Sequence, residues 1–312
     1  EANNLAVFGL GLGMGDHVLT LVTEHASILE PCRTLVARGV AVTYLPVKSD
    51  GLIDLAMLKQ SLRSNTALVS ISYVNNEIGV IQPLREIAKI IRRFRKERSS
   101  SRPYLHLDAC QAPRFLPLDV RRLGADLLTL NSAKIYGPKG VGALWRRRAL
   151  KLMPLVYGGG QEWGERSGTE NVPGLAGFAI ALEQCVKLRR KESARLGRLR
   201  DYFIKRLLAL PDTRLNGSSG ARAPNNVNVT FVKTDSELVV LNLDARGVAC
   251  SSGSACSART TGASYVIEAL GYEATTARGA VRFTLGRETT KADLDYVLRL
   301  LPSILSRARF GV

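Results

Sequence analysis

A carboxylate and a primary amine follow two consecutive predicted strands in the middle of the chain. Asp108 closes the apolar run at residues 104–108, and Lys134 comes shortly after the run at residues 126–130. In a parallel sheet the carboxyl ends of neighbouring strands meet at one edge, so both side chains should emerge there. Such a pair is most often a simple ion pair. The alternative is covalent chemistry, since a lysine amine can form a Schiff base with a carbonyl compound.

Two further side chains have the chemistry to handle a substrate. Arg282 interrupts an apolar predicted strand at residues 280–285, where a buried guanidinium needs a partner. A substrate carboxylate held by its bidentate fork would supply one, and the alternative is a salt bridge to another domain. Cys256 lies in a stretch rich in Ser, Gly and Ala, which favours an exposed loop thiolate. Cys185 lies in an apolar run that is typical of a buried structural cysteine.

The cysteines and histidines show no metal-site spacing. There are 5 cysteines and 3 histidines, with no C-x-x-C pair, and we therefore predict no metal ion. Because the cysteines are odd in number, scattered and too few for a disulfide framework, a reducing cytoplasm is favoured.

Short apolar runs alternate with segments of helical period, the pattern of an α/β domain with a mainly parallel sheet. We predict strands at residues 17–22, 41–47, 68–73, 104–108, 126–130 and 142–145, with helices at 27–37, 54–62 and 83–98 between them. A long charged helix at 172–210 leads to a smaller α+β unit with strands at 227–232 and 280–285 and helices at 237–244 and 291–306. The predicted domains are residues 1–189 and 190–312.

The net charge of +17 is compatible with a nucleic-acid partner. Much of the excess lies at helical spacing and is not interleaved with aromatic side chains, except at Phe94. We interpret these residues as solvated helix faces and do not predict nucleic-acid binding as the main function. The chain contains no uninterrupted apolar run of about 18 residues and no signal-peptide pattern. We therefore expect an untargeted cytoplasmic chain with no membrane partner.

A site for pyridoxal 5'-phosphate (PLP) needs a lysine, an acid for the pyridine nitrogen and donors for the phosphate, and the chain has candidates for all three. Seven short motifs, in family order over nearly the whole chain, resemble the signature of NifS/IscS-type cysteine desulfurases, which are class-V aminotransferases. They are Thr23-Glu24-His25, 74–80 (VNNEIGV), 106–109 (HLDA) with Gln111, 134–140 (KIYGPKG), 158–162 (GGGQE), 166–169 (RSGT) and 251–256 (SSGSAC). The resemblance implies PLP fold type I, with a mainly parallel large domain and a smaller α+β C-terminal domain.

The resemblance also implies a role for each matching residue. Lys134 would hold PLP as a Schiff base and shuttle the substrate α-proton, while Asp108 would pair with the pyridinium nitrogen. His25 would stack on the cofactor ring, although a histidine that merely starts a helix fits its position equally well. Gln111 would hydrogen-bond the phenolic oxygen, and Asn76 would help to orient the substrate. Lone amides are usually loop caps, so the last two roles depend on the resemblance.

Substrate and partners follow from the same resemblance. Arg282 would bind the carboxylate of L-cysteine, and Cys256 would attack the substrate sulfur, leaving alanine and an enzyme persulfide. The sulfur would then pass to a scaffold or carrier protein, as in iron-sulfur cluster biogenesis. Thr169 would reach the phosphate of the cofactor in the neighbouring subunit, which implies a homodimer.

The chain departs from the family pattern around the phosphate. Family members complete a Gly-Gly/Ala-Thr phosphate-binding turn just before the position of Glu1, and without it we expect weakened PLP affinity. Ala133 stands where His is common, and Asn131 stands where Ser is frequent. Asn131 and Ser132 could still donate hydrogen bonds to a phosphate.

Two other interpretations stay open. One is selenocysteine lyase or another fold-type I PLP lyase. The other is a truncated, non-catalytic PLP-fold protein that retains the signature by descent. The joint retention of Lys134, Asp108, Arg282 and Cys256 argues against a non-catalytic protein.

Overall fold

The computed structural model describes residues 1–253 and 263–309. These residues form two compact units. The first comprises Glu1–Pro46, Ile53–Val74 and Gln82–Arg189, and the second comprises Val47–Leu52, Asn75–Ile81 and the described residues from Arg190 onward. The contiguous domains predicted from the sequence place segments 47–52 and 75–81 in the first unit. The later segment groups with the second unit because its backbone pairs there, as when Ile81 N donates to the carbonyl of Ala221 at 2.8 Å.

The first unit alternates strands and helices. Its strands are β1 (His17–Leu21), β2 (Ala41–Leu45), β3 (Thr66–Ser72), β4 (Tyr104–Asp108), β5 (Leu127–Asn131) and β6 (Gly142–Arg146). Its helices are α1 (Ala2–Phe8), α2 (Ala26–Ala37), α3 (Leu55–Ser61), α4 (Leu84–Glu97) and α5 (Val120–Leu123), with 3-10 turns at Ser132–Ile135 and Glu162–Gly164. Helix α6 (Val172–Leu207) crosses the boundary between the units, close to the predicted 172–210.

The six strands form one sheet in the order β2-β1-β3-β4-β5-β6. All neighbours are parallel except β5 and β6, which are antiparallel. Every residue of β1 and β3 is buried, as expected for strands covered on both faces. The α/β fold with a mainly parallel sheet, predicted from the apolar runs, is therefore confirmed.

The second unit is a smaller α+β structure. Its strands β7 (Thr213–Leu215), β8 (Asn226–Phe231), β9 (Ser251–Ser252) and β10 (Ala280–Thr284) form an antiparallel sheet in the order β7-β8-β10-β9. Its helices are α7 (Ser236–Asp244), α8 (Tyr265–Glu268), α9 (Ala274–Ala277) and α10 (Lys291–Ala308). Helix α10 begins with a capping box in which Thr290 and Asp293 satisfy each other's backbone N–H groups.

The basic residues of α4 are engaged locally. Arg93 pairs with Glu97 within the helix, and Arg98 lies over the ring of Phe94 at 4.6 Å. Arg95 reaches the fully buried carboxylate of Asp126. The exposed Arg93–Glu97 pair agrees with the interpretation of this helix as a solvated face, whereas Arg95, with a side chain 12% exposed, is a buried ion-pair partner.

Within residues 1–253 and 263–309, no helix combines the length and apolar composition that a membrane crossing needs.

Candidate active site

The carboxyl ends of β4 and β5 lie side by side in the first unit. Asp108, the last residue of β4, pairs in register with Thr129 of β5, and Ala109 N donates to the Thr129 carbonyl at 3.0 Å. The 3-10 turn that carries Lys134 begins immediately after β5. The two strands therefore deliver Asp108 and Lys134 to the same edge of the sheet, as the sequence predicted.

A buried histidine on β4 forms hydrogen bonds to both neighbouring strands, β3 and β5. His106 of β4 is fully buried, with Nδ1 at 2.8 Å from Ser70 Oγ of β3 and Nε2 at 3.0 Å from Thr129 Oγ1 of β5. Burial lowers the pKa of His106 to about 4, so the ring is neutral at pH 7. It ties β3 and β5 to the strand that ends in Asp108 without adding a charge.

Asp108 is a buried carboxylate, and both of its oxygens accept hydrogen bonds from N–H groups. Cys110 N donates to Oδ1 at 3.0 Å, and Asn3 Nδ2 donates to Oδ2 at 2.7 Å. Asn3 was not among the residues predicted from the sequence, since it lies 105 positions away from Asp108. No local pattern reports such a contact.

Asn3 also connects Asp108 to His25. Its Nδ2 donates to Ser27 Oγ at 2.8 Å, and Ser27 Oγ lies 2.8 Å from His25 Nδ1. His25 is the N-cap of α2, and its Nδ1 accepts the Ser27 backbone N–H at 3.1 Å. Since Nδ1 accepts that N–H, the neutral ring carries its proton on Nε2. The helix-start interpretation of His25 is correct, and it leaves the role of the ring toward a cofactor as a prediction.

Lys134 presents its amine to solvent from the turn after β5. Asn131 Oδ1 caps this turn by accepting Ala133 N at 2.9 Å. Lys134 is exposed, and its amine forms no hydrogen bond or ion pair with any residue in the described part of the chain. The simple Asp108–Lys134 ion pair that the sequence left open is therefore not formed.

The Cys110 thiol interacts electrostatically with both Asp108 and Lys134. Burial raises its pKa well above the ordinary value, and the Asp108 carboxylate adds to the increase. The positive charge of Lys134 acts in the opposite direction. Both groups therefore act on the Cys110 thiol. Because its pKa is high, the thiol is protonated at neutral pH and is a poor nucleophile.

A second buried carboxyl, that of Glu24, interacts electrostatically with Asp108. Glu24 is fully buried, and Ser72 N donates to its Oε1 at 2.9 Å. Desolvation raises the pKa of Glu24 to about 8, with a further contribution from Asp108. Glu24 is therefore mostly protonated at pH 7 and adds little negative charge to the surroundings of Asp108.

Two of the predicted substrate residues contact each other in the second unit. Arg282 Nη1 donates to the Asn76 carbonyl at 2.9 Å, while Arg282 Nε is buried and without a hydrogen-bond partner among the described residues. Within the same residues, the Arg282 guanidinium forms no salt bridge of 4.0 Å or less, so the alternative of an interdomain salt bridge finds no support there. A buried N–H donor left open is what an incoming carboxylate requires.

The other predicted site residues are spread more widely. Gln111 lies half-buried in the turn after β4, Asn131 is half-buried at the end of β5, and Thr169 is exposed in the loop before α6. Cys256 lies outside the described residues. Cys250, the other cysteine near this stretch, is half-buried.

The residues of the first unit fit PLP. Among the described residues, a lysine amine without a hydrogen-bond or ion-pair partner and a buried carboxylate lie at one sheet edge, as the cofactor's carbonyl and its pyridinium nitrogen require. The Ser132 hydroxyl, two residues before Lys134, is buried and without a hydrogen-bond partner among the described residues. An unsatisfied buried hydroxyl at this position is a candidate donor to a bound group.

Comparison with known proteins gives consistent results. Residues 1–297 match the family described as aminotransferase class-V. "Cysteine desulfurase IscS 1" of Archaeoglobus fulgidus is 43% identical over 312 residues, which cover 99% of this chain and 80% of that protein. "Cysteine desulfurase IscS" of Dictyoglomus turgidum is 42% identical over 313 residues, covering 99% and 78%.

Solved structures show the same fold. A "NIFS-LIKE PROTEIN" superimposes with a TM-score of 0.88 at 31% identity, covering 98% of this chain and 80% of the other. A structure described as "SspA in complex with cysteine" has a TM-score of 0.75 at 33% identity, covering 91% and 78%.

Proposed function

The chain belongs to the aminotransferase class-V family, and from that premise we propose that it acts as a PLP-dependent cysteine desulfurase on L-cysteine. Its curated relatives at about 40% identity carry the name cysteine desulfurase, and their class of enzyme depends on PLP. The similar SspA structure was solved in complex with cysteine, which supports this amino acid as the substrate. The resemblance recognised from seven sequence motifs is confirmed.

One observation carries the proposal: a lysine amine with no partner in the described part of the chain and a buried carboxylate share one edge of the mainly parallel sheet. Lys134 would hold the cofactor through its Nζ, and Asp108 would keep the pyridine nitrogen protonated. When bound, PLP supplies the electron sink that stabilises negative charge at the substrate Cα. The proposed further contacts to the cofactor are Ser132, Asn131, Gln111 and His25, together with Thr169 from the neighbouring subunit.

Arg282 and Asn76 of the second unit would orient the substrate. We expect Arg282 to bind the cysteine carboxylate through its open Nε, while Asn76, whose carbonyl already accepts Arg282 Nη1, orients the amino acid. Lys134 Nζ then takes the Cα proton and later returns a proton to carbon.

Sulfur transfer is assigned to Cys256. Its thiolate attacks the substrate sulfur, so an S–S bond forms while the substrate Cβ–S bond breaks. The electron pair of the Cβ–S bond stays on carbon, which takes up a proton, and the product is alanine. Cys256 keeps the sulfur as a persulfide. A scaffold or carrier protein in a reducing, cytoplasmic environment is the proposed acceptor.

The activity is tested by alanine release from L-cysteine with added PLP, using wild type and Asp108→Asn. The variant removes the charge that pairs with the pyridinium while keeping the size of the side chain. We expect kcat to fall by about two orders of magnitude or more, the loss seen when one transition-state electrostatic contact is removed. Asp119→Asn, which alters an exposed N-cap on α5, should behave like wild type.

The outcomes are distinct. Full activity of Asp108→Asn would contradict the role of this carboxylate. Alanine release from selenocysteine but not from cysteine would make the chain a selenocysteine lyase, and release from neither would favour the non-catalytic alternative.

We further propose a homodimer, because large apolar side chains are exposed between residues 153 and 180 of the first unit. Trp163 is 90% exposed, and several neighbours in the chain are 37% exposed or more. A segment this rich in exposed apolar side chains is a candidate interaction surface, since large exposed apolar patches mark such surfaces. The exposed set is Met153, Leu155, Val156, Tyr157, Trp163, Val172, Leu175 and Ile180. Thr169, proposed to reach the neighbour's cofactor, lies within the same segment.

Replacing Trp163 by asparagine should weaken this association. Trp163 has φ +57°, which asparagine tolerates, so the fold should be retained. We expect the dimer dissociation constant to rise about tenfold or more, as for a buried aromatic anchor, measured by light scattering over a dilution series. Met14→Asn, at a side chain 88% exposed elsewhere in this unit, is the control. A monomeric wild type would contradict the dimer.

A further inference from the structure

The Asn75–Ile81 segment, here called the 75–81 loop, is held along its backbone by donors of the second unit. Four consecutive carbonyls, those of residues 76–79, each accept a hydrogen bond from outside the loop. The donors are Arg282 Nη1 to Asn76 (2.9 Å), Asn226 Nδ2 and Asn228 Nδ2 to Glu77 (2.9 and 3.0 Å), Arg222 Nη1 to Ile78 (2.8 Å) and Ala223 N to Gly79 (2.8 Å).

The register of β8 and β10 explains how three of these donors face the loop together. Asn226 and Asn228 are two positions apart on β8, so they point to the same face of the sheet. Arg282 on β10 lies directly opposite Asn228 in the antiparallel ladder, which places it on that face too. The alternating Asn-Val-Asn-Val pattern of β8 thus presents amides to the loop on one face and valines on the other.

Burial makes these contacts expensive to lose. Asn228 is fully buried, and Arg222 is 2% exposed. Arg222 forms no ion pair of 4.0 Å or less with the described carboxylates, and its guanidinium donates to the carbonyls of Asn216, Ser218 and Ile78 and to Asn226 Oδ1. Burying a cation is costly unless its N–H groups are hydrogen-bonded, and here backbone carbonyls supply most of the acceptors. The guanidinium therefore holds that backbone in place.

The loop also packs closely against Asn226. Gly79 has φ +69°, and a Cβ at this position would lie 2.5 Å from Asn226 Cβ. Only glycine combines that backbone conformation with so close an approach. The position of Asn226 is therefore coupled directly to the path of the loop.

We propose that Arg222, Asn226 and Asn228 are positioning residues for the substrate: by holding the 75–81 loop they fix Asn76 against Arg282 as one rigid element. The inference rests on the proposed function, in which Asn76 and Arg282 orient the amino acid. It goes beyond it in assigning a role in substrate affinity to three residues that do not touch the substrate. A preformed pair spares the binding step the entropy of ordering it.

Asn226→Asp separates this role from folding. The new carboxylate keeps an acceptor for Arg222 Nη1, now 3.1 Å from Asn226 Oδ1, and supplies a charge partner that Arg222 lacks among the described residues. It removes the donor to the Glu77 carbonyl and directs a carboxylate oxygen at that carbonyl instead. The fold gains an ion pair while the loop loses a hydrogen bond.

Two readouts are expected to change together. The KM for L-cysteine should rise about tenfold or more with kcat changed less than about threefold, the pattern of lost uniform binding. Hydrogen-deuterium exchange of peptides covering residues 75–81 should accelerate, even in the chain without cofactor, while β3 and β4 stay protected. A merely structural role would lower the melting temperature without this split between KM and kcat.

Asn242→Asp is the matched control, since Asn242 is exposed on α7 and donates to Leu238 O within the same helix. If Asn226→Asp folds poorly, Asn226→Leu removes the same donor with a neutral side chain of similar size. Provided that the wild type is active, two results for Asn226→Asp would overturn the inference. One is unchanged hydrogen-deuterium exchange in the 75–81 loop, and the other is faster exchange with an unchanged KM. If the wild type releases no alanine from cysteine, the proposed function is wrong. The role of the three residues in substrate affinity is then wrong as well.

Discussion

Replacing Lys134 by alanine should lower the rate of alanine release from L-cysteine by a factor of about 10³ or more, because this one side chain performs two tasks. The amine is the proposed covalent attachment point of PLP and the base that moves the Cα proton. The structure leaves this amine exposed and without a partner in the described residues, so no other interaction competes for it. Since Lys134 is exposed and forms no hydrogen bond or ion pair there, the variant should fold as wild type does.

The measurement combines activity with spectroscopy. Wild type mixed with PLP should gain an absorbance band at roughly 400 nm, typical of the protein-linked cofactor. Borohydride should make the linkage permanent on the peptide that contains Lys134. Lys134→Ala should show neither. Lys139→Ala, an exposed lysine five residues later in the same motif, should show both. A borohydride-stable linkage in Lys134→Ala would assign the attachment to another lysine.

Replacing Cys256 by serine should remove the persulfide and reduce alanine release by about 10³-fold or more, as for removal of a catalytic nucleophile. The argument comes from three of the other four cysteines. Burial raises the pKa of Cys32 to about 12 and that of Cys250 to about 11, and it raises that of Cys110 well above the ordinary value. A thiol attacks only as its thiolate, so these three are protonated and weakly nucleophilic at pH 7 to 8.

Mass spectrometry of the protein after reaction with cysteine tests this assignment. Wild type and Cys250→Ser should gain one sulfur on the peptide containing Cys256, and Cys256→Ser should gain none. Cys256→Ser should still change the cofactor absorbance when cysteine is added, because substrate binding uses Arg282 and Lys134. Sulfur on Cys250 or Cys110 in wild type would contradict the assignment.

The sequence predicted most of the framework that positions the first-unit site. Apolar runs located β4 and β5 to within one residue, and the edge rule then placed Asp108 and Lys134 together. The helix predicted at residues 54–62 corresponds to α3, whose N-cap Asp54 accepts two backbone N–H groups through its carboxylate. The family resemblance, carried by motifs in order, is confirmed by the comparisons. The division into functional domains at 189/190 and the individual catalytic roles stay predictions.

Other features depended on contacts between distant parts of the chain. Asn3 holds Asp108 across 105 positions, and Arg222 holds Ile78 across 144. The asparagines of β8 could have attracted notice, because two amides at alternate positions of a strand are costly unless paired. What they pair with was not readable from the sequence.

By itself, the sequence determined the fold class, the family and the residue types that do the chemistry, because periodicity and motif spacing are local properties of the chain. Only the tertiary structure decided which donors satisfy which buried acceptors. It moved residues 47–52 and 75–81 into the second unit and left the Lys134 amine without a partner among the described residues. The physical reason is that most buried polar groups must be hydrogen-bonded, and their partners are determined by proximity in space rather than along the chain.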